Sequence, residues 1–277
     1  MTTPLFRLDG KVAIVTGAAR GQGRAMAQLL AAQGASVAIC DIGATSLATV
    51  DYPMSGNQAG AGVARVVEAA GSAVLHQTCD VRRQDQIDAF VAATIARFGR
   101  IDILVNNAGI LSGNQPAHSL SDEQWTTMID INLTGVWRFS RAVVPHLIAA
   151  GGGRLINIAS AASLVGAPGF GHYAAAKHGV VGLTRTMAAE LAPHAVTVNA
   201  ICPGMVETTM VEHAADALAD TMGTSRAEAY ELFLTTHLIK APTQPSQTAA
   251  AVLYLASDAA STVTGSCLSI DGGWTAV

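Results

Sequence analysis

Seven short runs of β-branched and aliphatic residues recur along the chain: VAIVT at 12–16, SVAIC at 36–40, AVLHQ at 73–77, ILVNN at 103–107, RLINIAS at 154–160, VTVNAI at 196–201 and CLSID at 267–271. Apolar residues follow one another in these runs instead of alternating with polar ones, which predicts strands buried on both faces. Between them, apolar positions return at helical spacing. RAMAQLLAAQG at 24–34 is rich in Ala and Leu, strong helix formers, and Gly34 suits the position just past a helix end. Strand alternating with helix predicts an α/β fold: a doubly wound parallel sheet, covered on both sides, with ligands at the carboxyl ends of its strands. No repeat, low-complexity tail or interdomain linker interrupts the pattern, so a single domain over residues 1–277 is expected.

Two helix starts are written into the later half. Ser121-Asp122-Glu123-Gln124 has the form of a capping box and predicts a helix through Asn132 towards Pro145; Ser225-Arg226-Ala227-Glu228 predicts another through Leu234. Just before the second, Val211, Ala214, Ala215, Leu218 and Met222 fall at helical spacing. Residues 205–240 are therefore expected to be a helical excursion over the sheet, a lid on the substrate side.

Composition narrows the partners. Charged residues make up 13% of the chain and the formal net charge is -4, which offers no basic field for a nucleic acid or an anionic membrane. Small molecules and further copies of the chain are the expected partners. No apolar run approaches the roughly 20 residues of a membrane helix, and MTTPLFRLDGKVAIV lacks a signal-peptide pattern, so a cytoplasmic protein is expected. Cys40, Cys79, Cys202 and Cys267 have neither zinc-ligand spacing nor a disulfide pattern. No metal is expected, and the thiols are expected to be buried and reduced.

Directly after the first run comes TGAARGQG at 16–23, followed by a helix pattern. Gly17, Gly21 and Gly23 make a turn in which backbone can approach a pyrophosphate at a helix N-terminus. Asp41 ends the second run, where a carboxylate accepts hydrogen bonds from ribose hydroxyls and repels a 2′-phosphate, which favours NAD over NADP. Arg20, in the same turn, is a cation that could tolerate the phosphate. Within YAAAK at 173–177, Tyr173 and Lys177 stand at i and i+4 on one helix face. A neighbouring cation favours phenolate, so such a tyrosine can exchange a proton with an alcohol or carbonyl.

These residues resemble the short-chain dehydrogenase/reductase family. TGAARGQG matches its cofactor turn, NNAG at 106–109 its fourth-strand motif, YAAAK its active-site motif, and PGMVETT at 203–209 its loop over the nicotinamide; LSIDGG at 268–273 extends the match almost to the end. The resemblance implies a Rossmann-like seven-stranded parallel sheet and a catalytic tetrad of Asn132, Ser160, Tyr173 and Lys177. It assigns to NAD binding Gly17, Arg20, Gly21, Gln22, Gly23, Asp41, Ile42, Asp80, Val81, Asn107, Ala108 and Gly109, together with Tyr173, Lys177, Pro203, Gly204, Val206 and Thr208. In that scheme Ser160 bonds the substrate oxygen, Asn132 supports a water relay to Lys177 from an irregular helix, and Lys177 also holds the nicotinamide ribose. A homotetramer is implied as well.

The positions expected around the nicotinamide are apolar or small: Leu111, Ala162, Phe170, Met205 and Met210, with Leu164, Val165 and Pro168. They predict a hydrophobic secondary alcohol or ketone, cyclic or terpenoid ones included. His172 and His178 stand one residue off the Tyr/Lys face. The alternatives are a 3-oxoacyl-thioester reductase, against which Asp41 and the apolar lid count, and an NAD-binding scaffold without catalysis. The stretch from Asp41 to Asp80 exceeds the usual length for this family by roughly a dozen residues; long surface loops cost little entropy, so a tolerated surface insertion is one reading of it. Its Tyr52-Pro53 pair partly resembles an insert of carveol-dehydrogenase-like members, which packs over bound NAD. Residues 43–60 are accordingly expected to form a flap beside the adenosine.

Overall fold

The computed structural model describes residues 5–277, the side chains of residues 217 and 221 excepted. Strands β1 (Val12–Thr16), β2 (Ser36–Asp41), β3 (Val74–Thr78), β4 (Ile103–Asn106), β5 (Gly153–Ile158), β6 (Val196–Pro203) and β7 (Cys267–Ile270) form one parallel sheet in the order β3-β2-β1-β4-β5-β6-β7. Each expected run is a strand, within two residues at either end. The order reverses between β1 and β4, and this opens a crevice at the carboxyl ends.

The helices are α1 (Gly21–Ala32), α2 (Gly56–Ala69), α3 (Gln84–Phe98), α4 (Asp122–Ile129), α5 (Gly135–Ala149), α6 (Gly171–Leu191), α7 (Thr209–Met222), α8 (Arg226–Phe233) and α9 (Pro245–Ala256). The strands lack alternation because both faces of the sheet are covered. Ala13 and Val15 of β1 pack with Met26 and Leu30 of α1 and with Val252 and Leu255 of α9. Ile14 between them packs on the other face with Phe90 of α3 and with Phe139 and Val143 of α5.

Both capping boxes form, with the Ser121 and Ser225 hydroxyls accepting from the Gln124 and Glu228 backbone N–H groups. Several boundaries depart from expectation for physical reasons. Helix α1 begins at Gly21, not residue 24, because the glycine turn itself supplies the first helical turn, and Gly34 lies just past its end at φ +100°. Helices α4 and α5 are continuous through a π-helical turn, Asp130–Thr134, and the path runs on past Pro145 to Ala149. Proline removes one rung there, but Val143 and Leu147 on either side are fully buried and hold the helix to the sheet. The flap expected over 43–60 is a loop only as far as Ser55, and α2 begins at Gly56. Among the thiols, Cys40, Cys79 and Cys202 are buried, whereas Cys267 is only partly covered.

A polar ladder crosses the apolar interior directly behind the crevice. The Asn106 Nδ2 at the end of β4 donates to the Asn157 Oδ1 of β5 at 2.9 Å and to the Ser140 Oγ of α5 at 3.1 Å. Asn157 Nδ2 in turn donates to the Thr184 Oγ1 of α6 at 2.9 Å. Ser140 and Thr184 pass their own protons to the carbonyls of Val136 and Val180 in their helices. All four side chains are buried, so every partner lost would be left without water. Replacing Asn157 with Leu removes two buried hydrogen bonds of the ladder, leaving Asn106 with Ser140 and Thr184 with the Val180 carbonyl; unfolding in urea should show a loss of about 2 kcal/mol, and an unchanged midpoint would contradict the ladder.

Candidate active site

The turn after β1 is built by close approach. Gly17 sits at φ +63°, and a Cβ there would come within 2.7 Å of the Ala108 Cα; a Cβ on Gly23 would lie 2.2 Å from the Gly17 carbonyl oxygen. The same packing is fixed from β4. Asn107 Nδ2 donates to the carbonyls of Thr16 and Gly17 at 2.9 and 3.0 Å, and the Thr16 hydroxyl accepts from the Asn107 and Ala108 N–H groups. The first N–H groups of α1 consequently face open space at a helix N-terminus, an arrangement suited to an anion.

In front of this turn lies a cavity of about 150 Å³. Its walls include thirteen of the expected residues: Gly17, Arg20, Gly21, Gln22, Gly23, Asp41, Ile42, Asp80, Val81, Asn107, Ala108, Gly109 and Thr208. Asp41 accepts one backbone N–H on each carboxylate oxygen, from Ala19 at 3.0 Å and Ile42 at 2.9 Å. Each oxygen keeps further lone-pair capacity on the cavity side. The Asp80 carboxylate is held by Arg82; burial pushes its pKa up, but the hydrogen bonds of Arg82 outweigh that and hold it below the usual carboxylate range.

A second cavity of about 210 Å³ adjoins the first, sharing Gln22, Thr208 and Met210. Ser160 and Tyr173 lie on its wall, as do Pro203, Gly204 and Val206 and all five expected substrate residues, Leu111, Ala162, Phe170, Met205 and Met210. Leu164, Val165 and Pro168 are not on it: the 3₁₀ turn Ala161–Ser163 carries the chain outward after Ser160. His172 is fully buried and His178 bonds the Ala174 carbonyl on the outer face of α6.

Asn132 and Lys177 lie behind these walls, not on them. The Lys177 Nζ donates to the Ile158 carbonyl at 2.8 Å and stands 5.7 Å from the centre of the Tyr173 ring. A Cβ on Gly109 would be 3.6 Å from that Nζ and 2.6 Å from the Asn132 Oδ1. Asn132 sits in the π-helical turn, and its side chain is committed to Ile110, accepting from the N–H at 3.0 Å and donating to the carbonyl at 2.9 Å. The helix irregularity expected at Asn132 is this π-helical turn. The expected electrostatics differ. Burial dominates both groups: it pushes the Tyr173 hydroxyl up, with the neighbouring Ser160 pulling the other way, and it lowers the Lys177 ammonium to about 8.

The inserted loop borders the first cavity and reaches Leu111 on the wall of the second. Leu47, Met54 and Ser55 line the cavity with Asp41. Tyr52 is buried, its Oη accepts from the Leu111 N–H at 3.3 Å, and its ring stacks on His213 of α7 at 6.1 Å. Arg20 lies over the same ring at 5.4 Å and donates to the Pro53 carbonyl at 2.7 Å.

The comparisons with known proteins agree with this geometry. A family model described as enoyl-(acyl carrier protein) reductase, adh_short_C2, matches residues 17–275. The chain belongs to the short-chain dehydrogenase/reductase family. It is 38% identical to the (-)-trans-carveol dehydrogenase of Rhodococcus erythropolis, over 98% of this chain and 99% of that one. It is 40% identical to a 2,5-dichloro-2,5-cyclohexadiene-1,4-diol dehydrogenase of Sphingobium indicum, again over 98% and 99%. Among solved structures, carveol dehydrogenase from Mycobacterium avium in complex with NAD superposes with a TM-score of 0.94 at 37% identity, covering 98% of this chain and 99% of that one.

Within this family frame, several wall residues had escaped sequence reasoning. Phe233, His237 and Trp274 complete the second cavity. Trp274 follows the carboxyl end of β7, where ligand contacts are expected in any such sheet, but Phe233 and His237 reach the cavity only through the packing of α8.

The Lys177 shift has a sign that can be measured. Its ordinary value of about 10.4 applies in the unfolded chain, whereas the folded value is about 8. Below pH 8 both states carry the proton and the folded state bears the full cost of burying it. Between pH 8 and 10.5 the unfolded chain binds more protons, so stability rises with pH across that window. In urea titrations, the wild-type protein should gain stability relative to Lys177→Met from pH 8 to pH 10.5; a constant difference would contradict the buried ammonium.

Proposed function

We propose that this protein is an NAD-dependent dehydrogenase that interconverts a hydrophobic, cyclic secondary alcohol and its ketone. The observation that carries the proposal is the pairing of Ser160 and Tyr173 on the wall of an apolar cavity that opens into a glycine-walled cavity ending at Asp41. The names of the carveol and cyclohexadiene-diol dehydrogenases supply the cyclic class of substrate.

The cofactor is NAD. The residues fit it: the turn at Gly17 and Gly23 packs too closely on Ala108, Asn107 and its own backbone to admit a Cβ, the α1 N-terminus suits a pyrophosphate, and Asp41 keeps lone-pair capacity for ribose hydroxyls. The buried Gln22 Oε1 has no hydrogen-bond partner among the described residues, as a group awaiting a ligand would. Bound there, NAD accepts a hydride from the carbinol carbon or returns it to the ketone.

The chain's own part is positioning and proton transfer. Ser160 holds the substrate oxygen and stabilises charge developing on it. Tyr173 takes the hydroxyl proton during oxidation and returns it during reduction. Burial raises its hydroxyl pKa, with Ser160 pulling the other way, and a charged Lys177 beside it lowers the cost of releasing that proton. Because the Asn132 amide is occupied by Ile110, a proton relay from Lys177 would use the Asn132 main-chain carbonyl, which the π-helical turn displaces from regular pairing.

A carrier-protein reductase is the second reading, and the description of the family model favours it. Against it stand the acidic balance of the chain, at -4, and Asp41 at the 2′-hydroxyl position. Assembly as a cytoplasmic homotetramer belongs to the proposal; exposed Trp125, Trp137 and Ile148 along α4 and α5 offer an apolar surface to a second copy. The loop from residue 43 to 55 serves as a flap on the cofactor, pinned by Arg20 on one side and by His213 of the 205–240 lid on the other.

Absorbance at 340 nm over a panel of cyclic secondary alcohols should rise with NAD and far less with NADP. Replacing Tyr173 with Phe should lower that rate at least ~10²-fold while calorimetry finds NAD affinity kept; near-normal turnover would sink the assignment. Replacing Tyr52 with Ala should speed NADH dissociation in stopped flow by ~10-fold, the effect of losing about 1.4 kcal/mol, and an unaltered rate would contradict the flap.

A further inference from the structure

Arg20 is the one cation on the wall of the glycine-walled cavity among the described residues, and it shares that wall with Asp41. The backbone brings the two close: the N–H of Ala19, the residue before Arg20, donates to an Asp41 carboxylate oxygen at 3.0 Å. Yet among the described residues no ion pair joins them.

The guanidinium turns to the inserted loop instead. Its Nη1 donates to the Pro53 carbonyl at 2.7 Å, its Nη2 lies 4.0 Å from the Met54 Sδ, and its carbon stands 5.4 Å from the centre of the Tyr52 ring. A cation over an aromatic face is attracted by the ring's quadrupole, the more so where water is excluded, and Tyr52 is buried. The loop that presents these partners is itself fastened. Met54 and Gly56 donate their N–H groups to the Thr45 and Ala44 carbonyls, both at 3.0 Å, while the Tyr52 Oη accepts from the Leu111 N–H and its ring stacks on His213. Arg20 is thus held by a braced frame.

Those contacts occupy what a phosphate would need. Arginine recognises phosphate through the parallel N–H groups of its fork, and here both terminal nitrogens face the loop. An arginine near the adenosine ribose accommodates a 2′-phosphate, whereas an acid there binds the free hydroxyl. This wall carries one of each, with opposite preferences.

We infer that the inserted loop is a cofactor-specificity element: by holding Arg20 on Tyr52 and Pro53, it withdraws the one cation that could receive the 2′-phosphate of NADP and leaves Asp41 unopposed. Tyr52 acts through Arg20 and does not itself meet the phosphate. The inference rests on the NAD reading given above and goes beyond it, because it requires that replacing the acid alone will not admit NADP.

The test measures, by calorimetry on nucleotide-free protein, the affinity for NADP relative to that for NAD, a ratio in which a general loosening of the flap cancels. Asp41→Asn alone should change the ratio little. Adding Tyr52→Leu, which keeps an apolar filler but no aromatic face, should raise it a further ~10-fold, the worth of one hydrogen bond to a charged group; adding Tyr52→Phe, which keeps the face, should not. Arg20→Gln should erase the gain in the Asp41→Asn/Tyr52→Leu protein and leave the ratio of Asp41→Asn unchanged. Thermal unfolding shows that each variant is folded. The inference fails if Tyr52→Leu adds nothing to Asp41→Asn, or if Arg20→Gln lowers the ratio with Tyr52 in place, since the arginine would then already reach the phosphate. Either result leaves the NAD reading intact, whereas a wild-type protein that binds NADP as tightly as NAD overturns both.

Discussion

The hydrogen-bond ladder from Asn106 through Asn157 to Thr184 is the constraint on which the site depends. Hydrophobic burial brings the sheet and its helices together, but burial is non-directional and does not set where one element lies along another. The ladder does. It ties the ends of β4 and β5 to α5 and α6 at a single register. Those are the elements that deliver Asn107 and Gly109, Ser160, and Tyr173 with Lys177. A shift of α6 along β5 would leave the Asn157 amide without a partner in a dry interior, so the spacing between the Ser160 and Tyr173 hydroxyls is protected by a penalty and not merely by contact.

From that fixed frame the two cavities acquire opposite characters. The one in front of α1 is walled by backbone, glycine and carboxylate, and Asn107 holds its glycine turn from behind by bonding the Thr16 and Gly17 carbonyls. The other is walled by aliphatic and aromatic side chains with few polar groups, each placed singly: Ser160 and Tyr173 at one side, His237 beside Trp274. Gln22, Thr208 and Met210 belong to both. These three residues form a seam where a polar ligand on one side and an apolar one on the other would meet.

Much of this was legible in the chain alone. The seven β-branched runs marked the strands, and the glycine turn, NNAG and YAAAK fell at strand ends or on one helix face, where spacing determines what can meet. Tertiary packing decided the rest. Asn132 was expected as a helix irregularity, and the π-helical turn is there, but only the fold reveals that its amide is spent on Ile110. The i, i+4 spacing put Tyr173 and Lys177 on one face without telling how deeply each would be buried, and depth reversed the expected direction for Tyr173 and lowered Lys177 as well. Pro145 looked like a helix end because sequence cannot weigh one lost rung against Val143 and Leu147 buried around it. Asn157 gave no signal within RLINIAS, and His237 gave none until α8 folded back over the cavity.

The most direct measurement follows the hydrogen itself. A cyclic secondary alcohol carrying deuterium at its carbinol carbon should be oxidised with that deuterium appearing in the NADH formed, on one face of the nicotinamide only, and with a primary isotope effect on the chemical step in single-turnover kinetics. Ketone and NADH formed without transfer of the label would contradict hydride transfer across the seam between the two cavities.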